Sequence, residues 1–366
     1  MTLLALLACR PPAASDMRAS ERLSPVAAMS AIDAAGFARA LAPRDFVFPQ
    51  DHGAHGAFKL EWWYFVGNLD AADGRRFGFQ LTFFRQALAP EPPERASAWA
   101  AHQLYLAHFA LSDAGGGGFR SFERAGRGAL GLAGAQAAPF RVWLEDWSAT
   151  AAGDGLLPLR LAAAADGAAL DLELTRGKPL VLQGDAGLSR KSPVPGNASY
   201  YYSYTRLPAR GTVRIGERTW DVEGAAWLDR EWSTSGLGAE HEGWDWFALQ
   251  LADGRDLMFY RLRRRGGGVE PLSHGSLVGP DGAARPLAAR DVELTVEGTW
   301  TSPRGAVYPA LWRLRIPSAG LDLTVTPLLA DQELEVSFRY WEGAVEVRGT
   351  VDGRGYVELV GYADPG

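Results

Sequence analysis

The sequence predicts an all-β protein built as two antiparallel β-barrels in tandem. Three observations carry that prediction. Short runs alternating apolar and polar residues are separated by Asp- and Gly-containing turns, and long amphipathic helix patterns are scarce. A hairpin pattern beginning near Trp62 also recurs near Trp244. Period-two alternation on both sides of a short turn is the signature of a half-buried hairpin. Many such strands joined by glycine-rich turns, here with 43 glycines in 366 residues, indicate antiparallel barrels or sandwiches. Closing a sheet into a barrel removes exposed edges and can leave one ligand cavity.

The chain opens on Leu3-Leu4-Ala5-Leu6-Leu7-Ala8, followed by its single cysteine, Cys9. A short apolar run ending in a small residue reads as the end of a signal peptide. Leu6-Leu7-Ala8-Cys9 resembles a bacterial lipobox, in which the cysteine is acylated. Residues 10–43, rich in Ala, Pro and Ser, then read as a tether, with a short helix expected over Ser30 to Leu41. The expectation is an exported protein on the periplasmic side, held to a membrane through Cys9.

The body begins near Pro43. Trp62 to Leu69, the turn Asp70-Ala71-Ala72-Asp73-Gly74, and Phe77 to Arg85 form the first hairpin. Phe77, Phe79, Leu81 and Phe83 share one face at period two. The segment between Gln86 and Gly196 reads as an insertion with Ala- and Gly-rich loops at Gly115 to Gly118 and Ala162 to Ala165. The second hairpin runs from Trp244 to Leu251, through Asp253-Gly254-Arg255, into Leu257, Phe259 and Arg261. Trp62, Tyr64, Phe65 and Leu69 align with Trp244, Trp246, Phe247 and Leu251. Gly211-Thr212-Val213 is echoed by Gly349-Thr350-Val351. This is a degenerate duplication. It divides the chain into a leader over 1–9, a tether over 10–43, a first barrel over 44–232 and a second over 233–366.

Composition narrows the function. Hydrophobic residues make up 47% and charged residues 22%, enough for two cores. A net charge of −6 and a pI near 5.6 argue against nucleic acid as a partner. Past the N-terminus no run approaches the ~18 apolar residues of a membrane-spanning helix. One cysteine excludes an intramolecular disulfide. There is no HExxH zinc motif, G-x-S-x-G elbow, phosphate loop or dinucleotide fingerprint, so neither metal nor cofactor is expected.

The chemistry-bearing residues are carboxylates set among aromatic rings. Glu61 precedes Trp62-Trp63-Tyr64; Asp229 and Glu231 sit in Trp227-Leu228-Asp229-Arg230-Glu231-Trp232; Asp245 lies between Trp244 and Trp246. Desolvation among indoles raises a carboxyl pKa, and an acid kept protonated can donate to an alkene or carbonyl. Aromatic faces would stabilise the developing cation. Glu61, Asp229, Glu231 and Asp245 are therefore the candidate acids. Trp62, Trp63, Tyr64, Trp244, Trp246, Tyr202, Arg85 and His52 are the candidate ligand-binding residues. The alternative reading pairs the acids with Arg85, Arg230 or Arg261 and places the tryptophans in a core.

These residues carry a family resemblance. His52, Glu61-Trp62-Trp63-Tyr64 with Gly67 and Leu69, and Phe79-Gln80-Leu81-Thr82-Phe83-Phe84-Arg85 resemble the carotenoid 1,2-hydratase family, which includes the AttH-like secreted proteins. So do Trp227 to Trp232, Gly243 to Leu251, Tyr340-Trp341-Glu342-Gly343-Ala344-Val345 and Gly355 to Tyr362. The resemblance implies two lipocalin-like domains with a site in or between them, export, and in some members linkage to an ABC-type transport system. It implies cofactor-free, acid-promoted addition of water to a small apolar isoprenoid- or lipid-like molecule. A non-catalytic carrier of such a ligand is the alternative. One departure stands out: the family's usual Asp-His is Asp229-Arg230 here, and Arg230 is expected to hold Asp229 or Glu231 ionised.

Overall fold

A computed structural model describes residues 34–363, except 93, 95, 96, 98 and 117. Cys9 and most of the expected tether lie outside the described residues. The first sheet comprises β1 (Leu60–Ala71), β2 (Arg76–Ala87), β3 (Gln103–Asp113), β4 (Gly118–Arg127), β5 (Ala133–Ala137), β6 (Phe140–Leu144), β7 (Trp147–Ala151), β8 (Leu159–Ala165), β9 (Ala168–Leu174), β10 (Val181–Leu182), β11 (Leu188–Arg190), β12 (Ala198–Ile215) and β13 (Arg218–Ser233). The second comprises β14 (His241–Leu251), β15 (Asp256–Arg264), β16 (His274–Val278), β17 (Ala284–Ala288), β18 (Glu293–Thr301), β19 (Val307–Ile316), β20 (Leu321–Pro327), β21 (Glu333–Glu335), β22 (Arg339–Gly349) and β23 (Gly353–Val360). Every ladder is antiparallel, and the helical content of the described residues is three short 3-10 turns. Both sheets curl into barrels, the first bringing β3 and β4 against β6.

The strand orders show the duplication. The first sheet runs β4-β3-β2-β1-β13-β12-β9-β8-β7 and continues to β6 and β5; the second runs β17-β16-β15-β14-β23-β22-β20-β19-β18. The segment read as an insertion is thus most of the first barrel, and Ala162 to Ala165 belong to β8. Small residues suit that strand because Leu159, Leu161 and Ala163 face the core while their neighbours face out. The two opening hairpins turn alike. Gly74 and Gly254 sit at φ +83° and +86°, and the Asp73 and Asp253 carboxylates each accept from the amide two residues on at 3.0 Å. Only glycine adopts that left-handed conformation without strain. No helix forms over residues 34–41; Gly36 at φ +79° breaks the turn.

Alternation sorts the buried side chains into three large cores and a smaller one around Tyr200, Tyr202 and Trp232. Trp63, Phe65, Phe79, Leu81 and Phe83 fill the first barrel. Phe247, Leu249, Leu257, Phe259, Trp312 and Trp341 fill the second. The opposite faces of the same central strands meet between the barrels, where Tyr64, Val66, Tyr201, Trp227, Trp246, Tyr260, Tyr340 and Tyr356 pack together. Reciprocal hydrogen bonds hold the barrels in register. Asn68 on β1 donates to the Gly355 carbonyl on β23 at 3.0 Å, and its aligned partner Gln250 on β14 donates to the Ala226 carbonyl on β13 at 3.2 Å.

Candidate functional site

The central strands diverge toward one end of this interface and leave a cleft of about 660 Å³. Trp62 and Tyr64 of β1 and Trp244 and Trp246 of β14 form its aromatic walls. Asp229 and Glu231 of β13, Glu342 of β22, Glu358 of β23 and Lys191 add the charges. A volume of this size suits a drug-sized ligand. Both barrel interiors are packed with side chains, so the site lies between the barrels.

The register explains the convergence. Tyr64 stands opposite Asp229, and the aligned Trp246 stands opposite Glu358. Asp229 and Glu358 are therefore equivalent positions of the two halves, brought together across the interface. Trp62 stands opposite Glu231. The rings of Tyr64 and Trp246 meet edge to face at 5.1 Å.

Asp229 is buried, and its carboxylate accepts three hydrogen bonds: from Tyr201 Oη at 2.5 Å, Ser203 Oγ at 2.5 Å and Trp227 Nε1 at 2.7 Å. Trp246 Nε1 donates to the same Tyr201 oxygen at 3.2 Å. Burial drives the Asp229 pKa up to about 7, against those three donors and with help from the Glu231 charge. Burial likewise raises Glu358 to about 7; Trp244 opposes the rise, and Glu231 and Asp229 add to it. Glu342, buried beside Glu358, is pushed well above the carboxylate range, and Gln80 Nε2 donates to it at 2.8 Å. Glu231 differs, because Lys191 Nζ lies 2.8 Å away and Ser199 donates to it. Lys191 is held protonated: burial opposes its charge, but Glu231 and the Tyr260 ring outweigh it. Among the described residues, no cation lies within ion-pair distance of Asp229, Glu342 or Glu358. Like charges this close do not all ionise near neutrality, so the cleft stores protons in an apolar setting.

Of the residues expected from the sequence, the structure brings Trp62, Tyr64, Trp244, Trp246, Asp229 and Glu231 into the cleft. Asp245 faces the other side of β14, paired with Arg261 at 2.5 Å and Arg263 at 2.9 Å. Its neighbours Trp244 and Trp246 face the cleft, and strand alternation forbids all three sharing a side. Trp63, for the same reason, packs in the first barrel, its Nε1 donating to the His52 carbonyl at 2.8 Å. His52 and Tyr202 join each other at 2.6 Å on the far face. Burial and the Arg230 charge lower His52 to about 4, the Asp51 charge opposing. Glu61 and Arg85 border the cleft but are locked together. Burial opposes the Glu61 charge, but Arg230 and Arg85 override it and hold the carboxyl well below the usual range. Glu61 is thus a fixed anion, which overturns its reading as a proton donor. Arg230 is corrected too: it points into the first barrel, contacting Glu61 and the Gly53 carbonyl and stacking 3.9 Å over Trp63. It leaves Asp229 untouched.

Sequence reasoning missed Glu342, Glu358 and Lys191 as site residues, and within the run Tyr200-Tyr201-Tyr202 it chose Tyr202 where the cleft takes Tyr201. A signal for Glu358 was present: Tyr356-Val357-Glu358 repeats, at the aligned place, the spacing of Trp227-Leu228-Asp229. A metal cluster is poorly supported. Glu240, His241 and Glu270 converge, but His241 Nδ1 accepts from the Gly238 amide at 3.2 Å. That leaves the ring proton on Nε2, facing Glu270 at 3.4 Å.

The AttH-like family model matches residues 39–362. The chain belongs to the AttH-like family. A Nitrosomonas europaea protein solved as an AttH candidate is 36% identical, aligned over 89% of this chain and 100% of that one with a TM-score of 0.80. This AttH-like chain also shares its fold with kievitone hydratase from Nectria haematococca, at 15% identity over 89% and 96% of the two chains and a TM-score of 0.66. CghA is similar in fold at 16% identity over 90% and 97%, with a TM-score of 0.56. No curated protein matches the sequence.

Proposed function

We propose that this AttH-like protein, exported and lipid-anchored through Cys9, binds a small, neutral, largely apolar isoprenoid- or lipid-like molecule between its barrels and adds water to it by acid–base chemistry. The observation that carries the reading is the Asp229 carboxyl, buried between tryptophans with a pKa near neutrality and no cation against it. A general acid works best when its pKa lies near the operating pH. Protonated Asp229 gives its proton to an alkene or enone carbon. The positive charge that develops is held by the Trp62, Trp244 and Trp246 faces. Water then adds to the adjacent carbon, where the charge has developed, and its surplus proton returns to Asp229, so the acid is regenerated. Tyr201, bridging Asp229 and Trp246, orients the carboxyl.

A buried polar atom supports ligand binding at the same place: the Gln80 Oε1 acceptor borders the cleft with no donor against it. Such an atom is costly unless something donates a hydrogen bond to it, and a ligand hydroxyl would. Incubating the purified protein with isoprenoid and lipid extracts tests the proposal. A product heavier by one water, absent with Asp229→Asn, is expected. Equal turnover by both proteins, or a bound ligand recovered unchanged from wild type, overturns hydration, the latter in favour of a carrier.

A further inference from the structure

We infer that the end of the molecule where the cleft opens docks on a lipid bilayer, so that ligand enters from the membrane rather than from water. The inference rests on the apolar ligand proposed above. The ladders place the relevant chain ends together. β1 starts at Leu60, opposite Gln86 near the end of β2 and Ser233 at the end of β13, and β14 starts opposite Arg264 at the end of β15. The cleft at this end is bounded by Leu60, Gln86, Ser235, Leu237 and Leu262.

Large apolar side chains stand out from the same end. Leu41, Leu88, Trp99 and Val194 are each 54–63% exposed. Their segments adjoin one another and the 233–237 wall of the cleft. Gly36 abuts Pro90, the Ala38 carbonyl accepts from Thr234, Ser235 Oγ donates to the Gly196 carbonyl at 2.7 Å, and Leu41 lies against Gly196. The opposite end is different in kind. Its turns carry Asp70, Arg75, Asp113, Asp253, Arg255 and Arg354 in ion pairs. Among the described residues, no large apolar side chain is exposed in those turns.

An apolar rim around an apolar cleft, on a molecule otherwise ended by charge, is the pattern of an interfacial surface. The chain ahead of the described residues says what covers it. In the acylated form, the 25 residues from Cys9 to Asp33 lead into the body at Ala34, on this rim. An acyl group on Cys9 would bring the same end to the bilayer. Charges of both signs, including Arg39, Glu91, Glu94 and Arg127, surround the rim, so apolar insertion rather than attraction to anionic lipid drives the docking.

The test is flotation of the full chain, made Cys9→Ser to remove acylation, with neutral phosphatidylcholine vesicles at low and high salt. Binding should be insensitive to salt. Leu41→Ser, Leu88→Ser and Trp99→Ser should each lower the partition coefficient about tenfold, whereas Val296→Ser and Val307→Ser, on outer strands of the second barrel, should not. Failure of the unacylated chain to float, or equal losses in both sets, overturns the docking. Ligand binding measured separately without vesicles keeps the two readings apart: a protein that takes ligand but does not float refutes docking alone, and one that floats without taking ligand refutes the cleft reading alone.

Discussion

Asp229→Asn separates chemistry from architecture at the point where the cleft reading is most exposed. The amide is close in shape to the carboxyl and keeps an oxygen for Ser203 and Trp227, so the variant should fold. Only the titration disappears. In wild type, burial moves the carboxyl from 3.8 to about 7. Its folded form therefore holds a proton across a window in which the unfolded form has released it. Stability must fall as pH rises through that window, from about 4 to about 7, and level off above it. At ~1.4 kcal/mol per pH unit the full penalty is about 4 kcal/mol; sharing protons with Glu358 and Glu342 lowers the part that one substitution removes to about 1–3 kcal/mol. Thermal unfolding of both proteins from pH 4 to 9 measures it. The variant should match wild type near pH 4 and exceed it above pH 7. Hydration by wild type should decline as pH rises through about 7, while the variant is inactive throughout. Parallel stability curves across the whole range would refute the claim that Asp229 holds its proton at neutral pH.

Other substitutions probe separate parts of the site. Tyr201→Phe removes one of three donors to the Asp229 carboxylate, so the acid should weaken and the alkaline limb of the pH–rate profile should move up by about one pH unit; an unmoved limb would show that Tyr201 does not touch the working acid. Trp62→Ala strips one wall of the cleft and should weaken binding of a fluorescent apolar probe about tenfold with the circular dichroism spectrum unchanged. Glu61→Gln leaves Arg85 and Arg230 buried without their anion and should cost about 3–5 kcal/mol in denaturant unfolding, yet turnover per folded molecule should persist. Asp245→Asn strands Arg261 and Arg263 and should behave the same way, destabilising without touching the reaction.

Much of this protein is written locally. Alternation from Phe77 to Phe83 marks a strand with one buried face, because successive side chains point to opposite sides. Asp73-Gly74 and Asp253-Gly254 mark matching turns, because glycine takes the left-handed backbone there with no Cβ penalty. The alignment of Trp62 with Trp244 carries the duplication, and the strand orders follow from it. Even the exclusion of Asp245 was legible, since a residue between two cleft tryptophans on one strand must face away. What the chain could not declare was which of two faces borders space. Period two distinguishes Trp62 from Trp63 without saying that the barrel interior is filled and the cleft lies outside it. Nor could it bring Asp229, Glu342 and Glu358 together, or turn Arg230 toward Glu61, because those meetings depend on strand register within each sheet and on how the two sheets face each other. Local chemistry chose the strands and turns; long-range pairing chose the neighbours, and a carboxyl's pKa is set by its neighbours.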